Sequence, residues 1–198
     1  MYIADIEPAD TATLQLPVPN PFLPSDLVLL DNDELGPELR IDQPGLQLWL
    51  DLDTEFTVPR ANQYLTMGLP GGLTNIQELV NARLYERLLS DALNEYAYPA
   101  LLAGLGYQLS VTPAGFRLGV WGYSQKQKEL LDAVLERFTS MSIDPERFAV
   151  LKQELLRNWQ NFAKERPYQQ SYSALSNLLV SSSWPPQLLA EALNLSLI

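Results

Sequence analysis

The apolar positions between residues 73 and 105 recur at the three- and four-residue spacing of an α-helix. Thr74 is followed three residues later by Gln77, a pattern that predicts a capping box at the helix start. The polar residues form one narrow stripe, which contains Arg83, Glu86, Arg87, Ser90, Asp91, Asn94 and Glu95. Because the remaining surface is apolar, we predict a buried central helix from Thr74 to Tyr98, ending in a turn at Pro99.

Alternating apolar and polar residues predict strands on both sides of this helix. Before it, the alternation over 46–52 indicates a half-buried strand, and residues 61–68 indicate a second one. After it, residues 107–111 and 116–121 alternate around a Thr-Pro-Ala-Gly turn, which predicts an antiparallel hairpin.

Three further helices are predicted after the hairpin. The first, over 124–140, begins with Ser124 and Gln127 at capping-box spacing. The second, over 144–165, begins with Asp-Pro, a typical N-cap followed by a proline at the first helical position. The third covers 169–180, and an apolar stretch after the segment SSSWPP begins one more element near the C-terminus.

The predicted order is strand, strand, helix, hairpin and then helices. A parallel sheet needs a crossover between consecutive strands, and this order lacks the regular strand-helix alternation that such crossovers produce. We therefore predict an α+β fold over residues 41–198, with long helices packed mainly on one face of an antiparallel β-sheet.

Residues 1–40 are predicted to be an acidic, proline-rich lead-in or linker. Prolines at positions 17, 19, 21 and 24 favour an extended strap. Residues 1–58 contain twelve acids and one base, Arg40, so this end carries the whole net charge of −11. The sequence offers no basic surface for nucleic acid and no apolar run long enough to span a membrane, so we predict neither partner.

The absence of Cys and His restricts the chemistry that the chain can perform. Disulfides, thiolate metal sites, histidine general bases and histidine-ligated zinc are excluded. The carboxylates Glu86, Glu95 and Glu154 remain as candidates for an independent hydrolase, but a carboxylate pair must converge in one pocket, and the sequence gives no sign of that. We assign no catalytic, cofactor-binding or metal-ligating residue.

Five strings occur in a characteristic order: LPVPNPFLP (16–24), DALNEYAYPALLAGLGYQL (91–109), VWGYSQKQ (120–127), IDPERFAVLKQELLRNWQNF (143–162) and RPYQQSYSAL (166–175). Together they resemble the pitrilysin or insulin-degrading enzyme family of zinc metallopeptidases (inverzincins). The resemblance is to the third, or middle, of the four related α+β modules in the long members. It implies that the module continues past Ile198, so the sequence is expected to be incomplete at its C-terminus.

The family's catalytic module carries His-x-x-Glu-His on its first long helix and a further Glu on a later helix. The equivalent helix here has Arg83-Leu84-Tyr85-Glu86-Arg87, so both His positions are Arg, while Glu154 lies on the later helix. The resemblance therefore implies that zinc is bound in the catalytic module of a parent protein and not in this segment. We interpret Arg83, Glu86 and Arg87 as part of the exposed stripe, with local ion pairs.

The resemblance implies a non-catalytic module of a zinc-dependent endopeptidase that degrades peptides. Such a module forms part of the wall of the substrate chamber, and its partners are the remaining modules and peptide substrates. Family members work in the periplasm or the cytosol, and the sequence does not choose between them. The alternative hypothesis is a free-standing peptide-binding or scaffold module, in which a sheet edge accepts an extended strand.

Overall fold

The computed structural model describes residues 18–29, 36–53, 55–180 and 182–195. Its elements, in chain order, are β1 (Glu38–Gln43), β2 (Leu46–Leu50), β3 (Arg60–Gly68), α1 (Ile76–Leu102), β4 (Gly106–Thr112), β5 (Gly115–Tyr123), α2 (Gln127–Ser140), α3 (Pro145–Asn161), α4 (Pro167–Leu179) and α5 (Pro186–Asn194). All strand pairs are antiparallel, and the predicted α+β class is confirmed. Within the described residues, no helix is long and apolar enough to cross a membrane.

A three-stranded sheet in the order β3–β5–β4 carries the core. Leu65 of β3 and Leu109 of β4 both lie opposite Leu118 of β5. Leu118 and Val120 are fully buried, and α1 packs on β4 while α2 packs on β5. On the opposite face, Tyr64 exposes 65% of its surface. Among the described residues, therefore, the helices cover one face of the sheet, as predicted.

Helix α1 is the buried centre of the domain, but both of its ends differ from the prediction. Its N-cap is Asn75, whose side-chain oxygen accepts the backbone N–H three positions on at 2.9 Å, so the capping box at Thr74 was wrong. The helix also continues past Pro99 to Leu102, so the turn predicted at Pro99 comes about one helical turn too early. The chain leaves the helix at Gly104, whose φ of +80° favours glycine.

The apolar face of α1 contacts most of the domain. It packs against β4, α2, α3 and α5. Its buried residues are Leu79, Val80, Ala82, Leu84, Leu88, Leu89, Leu93 and Ala100. The prediction that this helix is the buried spine is confirmed.

The strand predicted over 46–52 has different surroundings from those expected. It forms β2, which pairs with β1 in a separate two-stranded ribbon. Every residue of β2 is exposed, including Leu48 and Trp49, so the expected half-burial was wrong. Alternation defines which side chains share a face, but it does not say whether another element covers that face. Strand β1 was not predicted.

Gln127 joins α2 to the sheet. It is fully buried, and its side-chain amide donates to the carbonyls of Ala61 at 2.7 Å and Gly122 at 2.8 Å. Its side-chain oxygen accepts from Gln63 Nε2 at 2.9 Å. The capping box predicted with Ser124 was wrong, because a short 3₁₀ turn precedes α2 and Gln127 points into the core.

Helices α3 and α5 form a second layer on α1. Helix α3 begins at Pro145 after the N-cap Asp144, as predicted, and ends at Asn161 before a short 3₁₀ turn. Helix α5 packs on both α1 and α3, and its Leu193 is fully buried. Helix α4 contains no buried residue.

Part of the predicted lead-in packs on the domain. Phe22 exposes only 2% of its surface and meets the ring of Tyr96 edge-on, with 5.5 Å between ring centroids. The side-chain amide of Asn20 donates to the carbonyl of Pro99 at 2.7 Å. This described part is anchored to the domain. The division at residue 40 stays a prediction, because most of the acidic segment lies outside the described residues.

The Gln127 network leads to a stability prediction. Gln127→Leu leaves two backbone carbonyls without their donor, so we expect the free energy of unfolding to fall by about 2–4 kcal/mol. Urea denaturation followed by circular dichroism measures the change. Gln153→Leu on the exposed side of α3 is the matched control and should stay within about 0.5 kcal/mol of the unsubstituted chain. Equal effects of the two substitutions would contradict the role given to Gln127.

The anchored lead-in leads to a second prediction. Phe22→Ala removes a buried aromatic ring, so we expect a loss of about 3 kcal/mol in the free energy of unfolding. The neighbouring control Leu23→Ala removes a side chain that is 57% exposed and should have little effect. The same urea titration compares them. An unchanged midpoint for Phe22→Ala would show that the strap does not contribute to the folded domain.

Candidate functional site

The polar stripe of α1 lies at the surface, as predicted. Its exposed members are Arg83, Arg87, Ser90, Asn94 and Glu95, and its half-buried members are Glu86 and Asp91. Tyr85 points the opposite way, where its ring packs edge-on against Phe116 and Phe138 and its hydroxyl donates to the Phe138 carbonyl. Burial raises the pKa of Tyr85. The buried face thus fixes the rotation of α1 and leaves the charged residues outside.

Two carboxylates of the stripe have perturbed acidities. Burial raises the pKa of Glu86, and the positive charges of Arg83 and Arg87 act in the opposite direction. Asp91 is bound through both oxygens by Arg147 of α3, with 2.6 Å between Nε and Oδ2. The hydrogen bond from Arg147 lowers the pKa of Asp91. This ion pair links α3 to α1.

The residues at the positions of the family's zinc motif do not fit zinc. Protein ligands of zinc are Cys, His and carboxylates, whereas the guanidinium groups of Arg83 and Arg87 are cationic donors without a free lone pair. Within the described residues, no group of three or more His, Cys, Asp or Glu is placed to hold a metal. Glu95 and Glu154 are exposed. Neither they nor Glu86 line either of the cavities described next.

One cavity, of about 210 Å³, lies beside Arg83. Its walls come from α1, from the hairpin turn at Thr112 and Pro113, and from the segment before α5, including Trp184. The guanidinium of Arg83 is the charged group among these mostly apolar and hydroxyl-bearing walls. The cavity therefore combines one positive charge with space for a small group.

A second cavity, of about 240 Å³, lies at the start of β4. It is lined by Tyr98 and Leu101 from the last turns of α1, by Tyr107 of β4 and by Trp121 of β5. None of its lining residues is charged. Burial raises the pKa of Tyr107. Apart from the side-chain amide of Asn94, this cavity is mostly aromatic and apolar, which is typical of sites that accept apolar groups.

The open face of the sheet carries exposed aromatic side chains. The guanidinium carbon of Arg117 lies 5.2 Å from the centroid of the Tyr64 ring, a cation–π distance. Tyr64 lies opposite Gly119 in the register, and Trp121 continues the same face along β5. The rings of Tyr64 and Trp121 therefore lie beside the bare backbone of Gly119, 3.5 and 3.7 Å from where its Cβ would stand.

Two apolar surfaces remain uncovered among the described residues. Helix α4 exposes a row of large side chains: Tyr168, Tyr172, Leu175, Leu178 and Leu179, of which Leu178 is 83% exposed. The β1–β2 ribbon exposes Leu46, Leu48, Trp49 and Leu50. Contiguous exposed apolar side chains of this kind mark surfaces that pack against other protein.

Comparison with known proteins assigns the family. A family model described as the middle or third domain of peptidase M16 matches residues 2–192. The chain belongs to the peptidase M16 family. It is 36% identical over 182 residues to the peroxisomal insulin-degrading enzyme-like 1 of Arabidopsis thaliana, which covers 91% of this chain and 19% of that protein. It is 35% identical over 183 residues to human insulin-degrading enzyme, and this match covers 91% of this chain and 18% of that protein.

The fold of this peptidase M16 domain also matches a solved structure. Superposition on the crystal structure of pitrilysin gives a TM-score of 0.75 at 20% identity, covering 92% of this chain and 21% of that one. The resemblance to the middle module is confirmed. The chain spans about a fifth of the length of these relatives.

Sequence reasoning missed both cavities of this peptidase M16 domain. Each is lined by residues from elements that are distant in the sequence, so no local pattern reports it. One signal was present for the second cavity: Gly106 lies opposite Trp121, and a Cβ at Gly106 would come within 2.6 Å of the indole. A glycine paired with an exposed tryptophan indicates a ring lying across the strand.

The uncovered face of α4 leads to a prediction about association. We expect the 198-residue chain to self-associate in a concentration-dependent way, because exposed apolar side chains are buried when two copies meet. Leu178→Lys combined with Leu179→Lys should shift sedimentation velocity profiles towards monomer. Val150→Lys on α3, which is 44% exposed, is the control and should leave the profile unchanged. A monomeric unsubstituted chain at all concentrations would contradict this role of α4.

Proposed function

We propose that this chain is a non-catalytic module of a zinc-dependent endopeptidase that degrades peptides, and that it forms part of the wall of the substrate chamber. One observation carries the proposal: the chain matches the middle domain of the peptidase M16 family and contains no histidine. Zinc peptidases need protein ligands for the metal and a base for the attacking water. Arg83 and Arg87 supply neither, so the long helix serves the fold and not the reaction.

The surroundings of the stripe support a structural use of its charges. Asp91 is occupied by Arg147, and Glu86 lies between two arginines on its own helix. The negative charge of Glu154 is one of the causes that raise the pKa of Arg147. Glu154 and Glu86 do not line a common cavity among the two described above. Asp91 therefore links α1 to α3 through Arg147, and Glu86 balances the charge of two arginines on its own helix.

The proposed partners are the remaining modules of a longer protein. The relatives are about five times longer than the matched region, so most of each relative lies outside it. Helix α4 and the β1–β2 ribbon offer apolar surfaces of the kind found in permanent interfaces. Peptide substrates are proposed because relatives are named for degrading insulin, which is a polypeptide.

Zinc belongs, in this proposal, to the catalytic module of the parent protein. There it would activate a water molecule for attack on the peptide bond. The contribution of this chain is steric: its surface limits which peptides enter and how they lie. No residue of the chain transfers a proton or contacts the metal in this proposal.

A second candidate function is a free-standing peptide-binding or scaffold module. The observation that favours it is the outer edge of β4, which pairs with no strand in the described residues. An open reading frame bounded by these residues would favour this alternative. A frame that continues into a segment with His-x-x-Glu-His would favour the peptidase module.

The absence of zinc chemistry in the chain is tested directly. The purified 198-residue chain, supplied with zinc, should not hydrolyse a fluorogenic peptide above the buffer rate, because it lacks a fitting donor set. Zinc content after dialysis is measured alongside by atomic emission. Peptide turnover that persists through purification and stops on addition of a chelator would refute the proposal.

The intact protein that contains the segment provides the matched control. It is expected to hold zinc and to cleave the peptide. Its zinc content should stay the same when Arg83, Glu86 and Glu154 are all replaced by Ala. Loss of zinc in that variant would place a metal ligand in this chain and contradict its non-catalytic role.

A further inference from the structure

Strand β4 has a free edge. It pairs with β5 on one side, and no backbone hydrogen bond from the described residues reaches its other side. Alternate N–H and C=O groups of an edge strand point away from the sheet, where another extended chain can pair with them. Gly106–Thr112 is long enough to pair with several residues of such a chain.

The aromatic cavity lies at the beginning of this edge. Tyr107 points to the helix-covered face, where it pairs with the fully buried Val120, whereas Trp121 lies on the open face. Both line the same cavity, so the cavity is in contact with side chains from both faces of the sheet at the start of β4. The bare backbone of Gly106 makes this possible, because a Cβ there would clash with the indole of Trp121.

The chemistry of the cavity selects its occupant. Its walls are mostly aromatic and aliphatic, with the amide side chain of Asn94 among them, and Tyr98 and Leu101 are 59% and 64% exposed. A volume of about 240 Å³ is below the range of sites for drug-sized ligands and suits one side chain. The absence of charged lining residues disfavours an ionic group there.

We propose that the free edge of β4 binds an extended peptide as an added strand, with one apolar or aromatic side chain of that peptide in the cavity. Main-chain hydrogen bonds provide affinity in this mode, and a pocket for one side chain provides selectivity. The inference rests on the proposed function only in taking a peptide as the ligand. The peptide is held at this edge and is not cleaved there.

The other sheet edge, β3, does not share these features. Its outer side is also unpaired in the described residues, but neither of the two cavities is lined by a β3 residue. A peptide on β3 would have backbone partners without a side-chain pocket. The combination of edge and cavity therefore assigns the site to β4.

Titration of the 198-residue chain with a defined peptide tests the inference. The probe is a neutral seven-residue peptide of threonine and glutamine with one central phenylalanine, acetylated and amidated. Of the four tryptophans, Trp121 lines the cavity, so its indole N–H resonance should shift on binding while those of Trp49 and Trp159 do not. Shifts of the backbone amides of β4 should accompany it.

Two adjacent leucines of α1 provide matched variants. Leu101→Asp places a charge in the cavity wall and should weaken binding about tenfold. Leu102→Asp is the control, because Leu102 is 66% exposed, lies in the same helical turn and does not line the cavity. Its affinity should stay within about twofold. Both variants place the same charge near the same helix end, so their folding costs are comparable.

Changes to the peptide separate the two parts of the site. Replacing the phenylalanine by serine should weaken binding through loss of the cavity contact. N-methylation of alternate peptide nitrogens should weaken it for one of the two alternating sets, because only one set faces β4. Equal binding by all of these peptides, equal effects of the two leucine variants, or shifts confined to β3 would each overturn the inference.

The peptide-binding test of β4 can be decided whatever the outcome for the proposed function. Binding is measured on the chain without zinc and without turnover. If the chain proved to hold zinc, the non-catalytic role would fail while the β4 result would still be decided by the leucine pair. If the peptide did not bind, the β4 site would fail while the family role would remain.

Discussion

Burial of α1 against the three-stranded sheet is the constraint on which the rest of the domain depends. Val80 and Leu89 of the helix and Leu118 and Val120 of β5 are completely buried. Each such side chain contributes roughly 1.5–3 kcal/mol by its removal from water. Helices α3 and α5 then pack on the same helix. A helix contacted by so many elements can rotate very little, so its polar stripe has a fixed position.

That constraint explains how this helix can keep its place in the fold of a peptidase M16 domain without any histidine. Packing requires the apolar positions and tolerates many polar residues on the exposed stripe. Arg83, Glu86 and Arg87 occupy that stripe, and Tyr85 between them anchors the opposite face against Phe116. The fold therefore depends on the buried positions of the helix and not on its exposed stripe, and the fold alone does not establish an activity.

One-sided covering of the sheet also determines where a ligand can bind. The helices protect the inner face, while the open face, the β4 edge and the cavity beside it remain accessible in the described residues. Gln127 stabilises this same end of the sheet from the β3 side, since its side chain joins β3, β5 and α2 and bonds the carbonyl of Gly122, next to Trp121. A rigid central strand with an accessible neighbouring edge is a suitable frame for an extended peptide.

The sequence by itself determined the α+β class, the buried face of α1, the hairpin and the exclusion of histidine-based chemistry. These follow from periodicity and composition, which are local or global properties of the chain. Only the tertiary structure decided that β2 lies in an exposed ribbon, that Phe22 belongs to the core and that Gln127 is a buried connector. It also placed Tyr107 and Trp121 at one cavity. The reason is physical: burial and cavities depend on which distant elements meet, and no local pattern encodes those contacts.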